Sequence, residues 1–400
     1  MTLEPKHAVV FGASGLLGWS VLSELLSGYS PIGTFSKVTA IVNRPVSETD
    51  LCLAGASVDR PELQIVSGVN LLEGTQEDLG CVLKDQVSGA DTITHAFYFV
   101  FNACSEDHIR ESRLNCDMMR RVAGALNIVA PCLKSITYSG GTRGYGIYVP
   151  GGSFAAPLEE KLADQLPEDY AKTVAYPRFR QILTEASHGR VWTWTEVCPD
   201  AVVGFSPNGS GYSLALHWAQ YLSLYAHNHG VSPGSDKAAN RVEVPFPGCD
   251  EAANCKFTPV SGRMLGRISI HAALNPDKYG QKVVNMVDSD TPVTYGELWP
   301  KIAAWFGLVG SGPQTDGKAL KPGQYVARYK HIFEERGLSK ALTAGVGAGS
   351  AQLDSVGWWL TFDRQLSPQR LRSLGFEEQR DPVEGWHEAF AKLREAGIII

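Results

Sequence analysis

The chain has 400 residues, more than the roughly 100–200 of one compact unit, so two lobes or one large α/β domain with insertions is expected. Apolar residues make up 44 % of it and charged residues 20 %, which excludes intrinsic disorder, a collagen-like repeat and a disulfide-stapled mini-scaffold. The 36 basic and 42 acidic side chains leave a net charge of −6, opposite to the basic surplus of a general nucleic-acid binder.

In chain order, short apolar runs alternate with helical periodicity, the pattern of a parallel sheet covered by helices. Residues 7–11 (HAVVF) read as a buried strand and residues 16–26 as a helix. Strands follow at 38–42 (VTAIV), 63–66 and 92–101 (TITHAFYFVF), then a long helix at 107–126. A fifth strand is expected at 133–138, a helix at 177–187 and a sixth strand at 191–198. Five or six such units make a doubly wound α/β sheet, with its ligand at the carboxyl ends of the strands. Beyond Gly204 the character changes. A loop (205–213) leads into an aromatic helix at 214–227, a turn-rich stretch at 233–256, a helix at 263–274 and a strand at 282–286 that extends the first sheet. Helices are expected at 295–306, 327–336 and 368–374. The organisation expected is a dinucleotide-binding domain over 1–204, joined by about 258–290, and a smaller, mostly helical C-terminal substrate lobe over 205–400.

The cysteines (Cys52, Cys81, Cys104, Cys116, Cys132, Cys198, Cys249 and Cys255) form no CxxC pair, and most read as small buried hydrophobes in a reducing compartment. The ten histidines are scattered without metal-ligand spacing, and no metal is expected. No run approaches the ~18 apolar residues of a membrane span. Residues 1–7 lack the apolar core of a secretory signal. A soluble, cytoplasmic protein is the expectation.

The most specific motif is GASGLLG at 12–18, between the first strand and the first helix. Gly12 permits the tight turn, Gly15 close approach of a pyrophosphate, and Gly18 close helix–strand contact. Ser14, Leu16 and Leu17 complete the turn, where free N–H groups of the helix start face the phosphates. At the end of the second strand an NAD site places an acid for the ribose hydroxyls. Here stand Asn43 and Arg44, with no acid before Glu48. Arginine suits a 2′-phosphate, so NADP(H) is the expected cofactor. Asn70 and Leu71 after the third strand, Tyr98 and Val100 at the end of the fourth, and Val203 after the sixth are further cofactor contacts.

These segments resemble the progesterone 5β-reductase/iridoid synthase-like branch of the extended short-chain dehydrogenases/reductases. The resemblance is carried by the GxxGxxG glycines, Arg44-Pro45, the stretch HAFYFV at 95–100 and Phe205-Ser-Pro207. Asn285, Trp299, AAWFG at 303–307, Gly375-Phe376 and LREAGI at 393–398 carry it further. It runs from about residue 7 to 400. The resemblance implies a Rossmann fold and a reductase that adds hydride from NADPH to the β-carbon of an α,β-unsaturated carbonyl, with a tyrosine and a lysine stabilising the enolate. The lysine is replaced. Arg143 occupies its place in SGGTRGY (139–145), and Tyr176 is the tyrosine that survives of the family's Asn-Phe-Tyr-Tyr motif. Aligned as a general short-chain reductase, Tyr176-Pro-Arg-Phe-Arg180 takes the place of Tyr-x-x-x-Lys, again with arginine for lysine. Pro177 suits the first turn of a helix, which sets Tyr176 at the helix mouth. Ser139 falls where such reductases keep a hydroxyl for the substrate carbonyl.

The catalytic candidates are therefore Tyr176, Arg143, Ser139 and Arg180, and the substrate-pocket candidates Tyr145, Tyr148 and Phe205. Arginine stays protonated and relays no proton near neutral pH, but it can bind an oxyanion or lower a neighbouring phenol's pKa. The leading reading is an NADPH-dependent reductase of the C=C bond of an enone in a hydrophobic small metabolite. The alternatives are a non-redox isomerase or cyclase retaining NADP(H), and a cofactor-sensing regulatory protein. The partner expected is a small-molecule substrate, not nucleic acid or membrane, and a homodimer is compatible with the sequence.

Overall fold

The computed structural model describes residues 6–53, 55, 59–104, 107–231, 242–314, 319–344 and 353–400. Its centre is a seven-stranded sheet. Six strands come from the first half: β1 (Lys6–Phe11), β2 (Phe35–Ile41), β3 (Glu62–Val66), β4 (Ile93–Tyr98), β5 (Ser135–Ser139) and β6 (Thr193–Cys198). The seventh, Lys282–Asn285, arrives much later in the chain and pairs with β6. All neighbours are parallel, in the order β3-β2-β1-β4-β5-β6 and then the seventh strand. The order reverses between β1 and β4, where a crevice opens at the carboxyl ends of the strands.

The strands are apolar because both faces are covered. In β1, Ala8 and Val10 pack on one side while Val9 and Phe11 pack on the other, the period of two that a strand imposes. One side carries α1 (Leu16–Leu26) and the helix Gly262–Leu274. They cross closely because a Cβ on Gly266 would meet the Ser20 carbonyl at 2.6 Å. The opposite side carries α2 (Gln76–Gln86), α3 (His108–Val129) and the helix Tyr176–Ser187.

The later helices build their core on tryptophan. Trp218, on the helix Leu214–Asn228, stacks on Trp386 of the C-terminal helix Pro382–Glu395 at 5.2 Å and meets Trp299 edge-on at 5.3 Å. This core is continuous with the α1 side of the sheet. The helix expected over 327–336 is broken at Lys330 into Pro322–Tyr329 and His331–Glu335, with Ile332 and Phe333 buried against Leu224. Of the turn-rich stretch 233–256, residues 233–241 lie outside the described residues, and the rest contains the helix Asp250–Asn254. No helix among the described residues is long and apolar enough to cross a membrane, and all eight cysteines are free.

Candidate active site

The turn from β1 to α1 has the shape its glycines require. Gly12 sits at φ +79°, and a Cβ there would lie 2.6 Å from the Phe99 carbonyl oxygen at the end of β4. A Cβ on Gly18 would come within 2.2 Å of the Gly12 carbonyl oxygen. Gly15 is the N-cap of α1, and no side chain caps the helix. The first N–H groups, on Leu16, Leu17 and Gly18, lack intrahelical acceptors, an arrangement able to hold an anion at the crevice. Ser14 is half-buried, and its carbonyl accepts from the Ser206 hydroxyl at 3.3 Å, which ties the turn to the loop after Val203. Val203 itself is buried. These residues fit the diphosphate of a dinucleotide.

The flanking cofactor candidates divide. Asn43 and Arg44 are exposed just past β2, and Glu48 beyond them is paired with Arg60 at 2.6 Å. Asn70 is exposed and closes its own turn by accepting from the Leu72 N–H at 3.0 Å. Leu71 is buried, its carbonyl held by Arg121 at 2.8 Å. Val100 lies beside Gly12. The Tyr98 ring turns away into the opposite core against Phe179 at 6.3 Å, and burial raises its pKa. Only the backbone of Tyr98 is available to the crevice.

Tyr176 opens its helix with Pro177 next to it in the first turn, where the missing N–H costs nothing. Its ring lies against the backbone turn after β5. A Cβ on Gly141 would meet the Tyr176 hydroxyl at 3.3 Å, and one on Gly144 the ring at 3.3 Å. Burial raises the phenol's pKa and the Arg143 charge opposes that rise. Ser139 ends β5, half-buried, and donates to the Gly140 carbonyl at 3.0 Å.

Arg143 is held on three sides. Nη1 donates to Glu111 Oε1 at 2.6 Å, Nη2 donates to the Thr173 carbonyl at 3.1 Å, and the guanidinium lies over the Tyr148 ring at 5.0 Å. Glu111 is 2 % exposed, and its other oxygen accepts from the Cys104 N–H at 2.9 Å. It stands in the first turn of α3, where the helix dipole favours a carboxylate. One turn on, the buried Asn115 clasps Asn102 by accepting from its N–H at 2.9 Å and donating to its carbonyl at 2.8 Å. Glu111 and Asn115 thereby fix the chain that leaves β4.

Around this pair is an aromatic wall. Tyr148 contacts His108 at 6.2 Å and Trp359 at 5.2 Å between ring centres. Tyr170 feels both Arg143 and Tyr148, and burial raises its phenol. Tyr212, on the loop before the aromatic helix, is pushed up to about 12 by burial and by Glu111. Sequence reasoning missed Glu111, Asn115, Tyr170, Tyr212 and Trp359. The only local signal was an acid one turn into an apolar-periodic helix.

Three candidates lie elsewhere. Arg180 pairs with the buried Glu196 at 2.9 Å and donates to the Ala163 carbonyl at 3.1 Å, with Tyr138 donating to the same carboxylate at 2.8 Å. The structure thus couples Tyr176 with Arg143, whereas the Arg180 guanidinium is taken up by the sheet's own carboxylate. Tyr145 is not a pocket residue. It is 1 % exposed and donates to Asn285 Oδ1 at 2.7 Å in the core. Phe205 is likewise 2 % exposed and packs edge-on to Trp19 at 4.8 Å. Both belong to the large core on the α1 side of the sheet, Tyr145 held by the seventh strand and Phe205 by α1. Among the described residues no cluster of His, Cys, Asp or Glu suits a metal.

The family model described as a PRISE-like Rossmann-fold domain matches residues 8–400. The short chain dehydrogenase sirQ of Leptosphaeria maculans is 28 % identical over 404 residues, covering 98 % of this chain and 97 % of that one. An (S)-8-oxocitronellyl enol synthase of Nepeta racemosa is 24 % identical, covering 92 % and 83 %. Among solved structures, a GDP-mannoheptose C4 reductase from Campylobacter jejuni with NADP bound superposes with a TM-score of 0.59 at 10 % identity, covering 98 % of each chain, a likeness of fold. With the glycine turn, the parallel sheet and a match over nearly its whole length, the chain belongs to the PRISE-like Rossmann-fold family, as an oxidoreductase-like enzyme of the short-chain dehydrogenase/reductase kind.

Proposed function

We propose that the protein is an NADPH-dependent reductase of the C=C bond of an α,β-unsaturated carbonyl in a hydrophobic small metabolite. The observation that carries this reading is the Tyr176–Arg143 pair at the carboxyl end of β5, on the same end of the sheet as the Gly12–Gly18 turn. NADPH, when bound, supplies the hydride that saturates the β-carbon. Tyr176 donates a hydrogen bond to the carbonyl oxygen as it gains negative charge, the moment at which an oriented donor in a water-poor site contributes most. Arg143, fixed by Glu111 and Thr173, sustains the polarity around that phenol without moving a proton. The α-carbon is protonated from solvent. The aromatic wall of Tyr148, Trp359 and Tyr212 suits an apolar substrate body. The enol in the name of the Nepeta relative agrees with chemistry that passes through an enolate. Arg44, exposed where an NAD site places an acid, supports NADPH over NADH.

A second reading, a rearrangement or cyclisation that retains the cofactor, is favoured by one observation: Arg143 stands where a lysine would relay a proton, and it relays none. A panel of cyclic and acyclic enones with C4-deuterated NADPH separates the two. A reductase oxidises NADPH in step with loss of the alkene and leaves deuterium on the β-carbon. Product formed at constant NADPH absorbance establishes the rearrangement instead.

A further inference from the structure

Replacing lysine by arginine enlarges the cation beside Tyr176, yet the structure does not leave that cation free. Its counter-ion is built in. Glu111 comes from a different element, the first turn of α3, and its side chain is 3 % exposed against 13 % for Arg143. One carboxylate oxygen takes the guanidinium at 2.6 Å while the other holds the Cys104 N–H at 2.9 Å, so Glu111 cannot swing away without releasing the chain after β4. A third neighbour, His108 Nδ1, lies 3.7 Å from the same oxygen that holds Arg143. The Thr173 carbonyl takes Nη2, and rings stand around the pair: Tyr148 beneath the guanidinium, with Tyr170, Tyr176 and Tyr212 near it.

We propose that Glu111 is a specificity-determining positioning residue: by holding and neutralising Arg143 it makes the aromatic cleft reject carboxylate-bearing ligands and accept uncharged carbonyl compounds of the same shape. The physical reason is competitive. A ligand carboxylate gains a charge-assisted fork only from two free adjacent donors, and here Nη1 is held by Glu111 and Nη2 by the Thr173 carbonyl, while the unpartnered Nε is itself buried. An approaching anion also meets the Glu111 carboxylate, itself 3 % exposed, so their repulsion is only partly screened by water. A neutral carbonyl suffers neither penalty and needs one donor, which Tyr176 provides.

The inference rests on reading this cleft as the substrate site, and its test measures binding rather than turnover, so the two fail separately. Trans-cinnamaldehyde and trans-cinnamate, an uncharged and an anionic probe of matching shape, are titrated into the full chain at saturating NADP⁺ by calorimetry. The parent protein should bind the aldehyde at least about tenfold more tightly. Glu111→Gln should improve cinnamate relative to cinnamaldehyde by about ten- to a hundredfold, the span of one charge-assisted hydrogen bond. Glu111→Gln combined with Arg143→Met should restore the preference for the aldehyde, and Glu111→Asp should never lose it. Circular dichroism and thermal melting establish folding of each variant. If Glu111→Gln does not fold, the parent and Glu111→Asp ratios decide. Equal or tighter binding of cinnamate by the parent overturns the proposal, as does an unchanged ratio in folded Glu111→Gln or the absence of aldehyde binding at millimolar concentration. A parent that shows the predicted ratio yet reduces no enone leaves Glu111's role standing and removes the reductase reading.

Discussion

Tyr176 and Arg143 meet at the turn after β5, and the structure predicts different consequences for losing each. Tyr176→Phe removes one hydroxyl from a ring that keeps its packing on Phe179 and on the Gly141–Gly144 turn. Turnover should fall by about 10²–10³ while NADPH affinity stays within twofold, measured by steady-state kinetics and fluorescence titration. Near-normal turnover makes the phenol structural. Arg143→Met instead strands Glu111 as a buried carboxylate without its cation, a loss of about 3–5 kcal/mol in stability besides any catalytic effect. Arg143→Lys should be milder on both counts, since a cation remains for Glu111 although the contact to Thr173 is lost, and chemical denaturation reads the difference. Arg44 is the simpler case, because it is exposed. Arg44→Ala should weaken NADPH by about ten- to a hundredfold and leave NADH nearly unchanged. Equal binding of the two cofactors by the parent would remove the NADPH assignment.

At the scale of elements, the three glycines of the β1–α1 turn have different duties. A methyl on Gly18 would collide with the Gly12 carbonyl at 2.2 Å, backbone against backbone, so Gly18→Ala should cost about 1–3 kcal/mol of stability as well as cofactor affinity. Gly15 has φ −84° and its nearest neighbour would be 3.3 Å from a new methyl. Gly15→Ala should therefore melt like the parent yet bind NADPH at least tenfold more weakly, since only the ligand needs that space. Thermal melts with and without NADPH distinguish these outcomes. The glycine turn, all seven strands of the sheet and the helices at 16–26, 177–187 and 214–227 were legible because periodicity and local chemistry agree there. The helix Gln76–Gln86 was overlooked although Thr75 and Asp78 form its capping box, for its mean composition is polar and hides the stripe. The C-terminal helix Pro382–Glu395, opened by Asp381 and Pro382, was missed in the same way. The active-site wall was illegible for another reason. Glu111, Tyr148, Tyr212 and Trp359 meet only through tertiary packing, and no spacing in the sequence encodes that meeting. Tyr145 and Phe205 failed as pocket residues because sequence places them near the strand ends but does not encode that Asn285 and Trp19 draw them into the core.

At the scale of the whole molecule, one carboxyl makes stability depend on pH. Asp288 follows the seventh strand, accepts from the Ser261 N–H at 2.8 Å and hydroxyl at 2.7 Å, and through its carbonyl takes the Arg380 N–H at 2.8 Å. Burial raises it from 3.8 to about 7, against the pull of the Ser261 donors and of Arg380. The folded protein thus holds this proton more tightly than the unfolded chain. The stabilisation is complete below about pH 4 and is lost as pH rises through 7, a change on the order of a few kcal/mol. Asp288→Asn keeps an oxygen for Ser261 and cannot titrate. Between pH 5 and 8 the unfolding free energy should shift in favour of this variant, read from urea denaturation at each pH. A difference that does not vary with pH means that the carboxyl titrates normally.

The late arrival of the seventh strand bears on how a nascent chain reaches this state. Until residue 285 has left the ribosome, β6 offers an unpaired edge and the buried Tyr145 hydroxyl lacks Asn285, its acceptor. Asn285 also donates to the carbonyls of Leu158 and Ser367, and its N–H donates to Glu160, so one side chain and its backbone close three stretches of sequence at once. The first two hundred residues therefore contain the whole glycine turn and most of the sheet, yet cannot seal it during their own synthesis. They wait, with the β6 edge unpaired, for a four-residue strand made about eighty residues later, so the sheet closes late in synthesis rather than as its first six strands emerge.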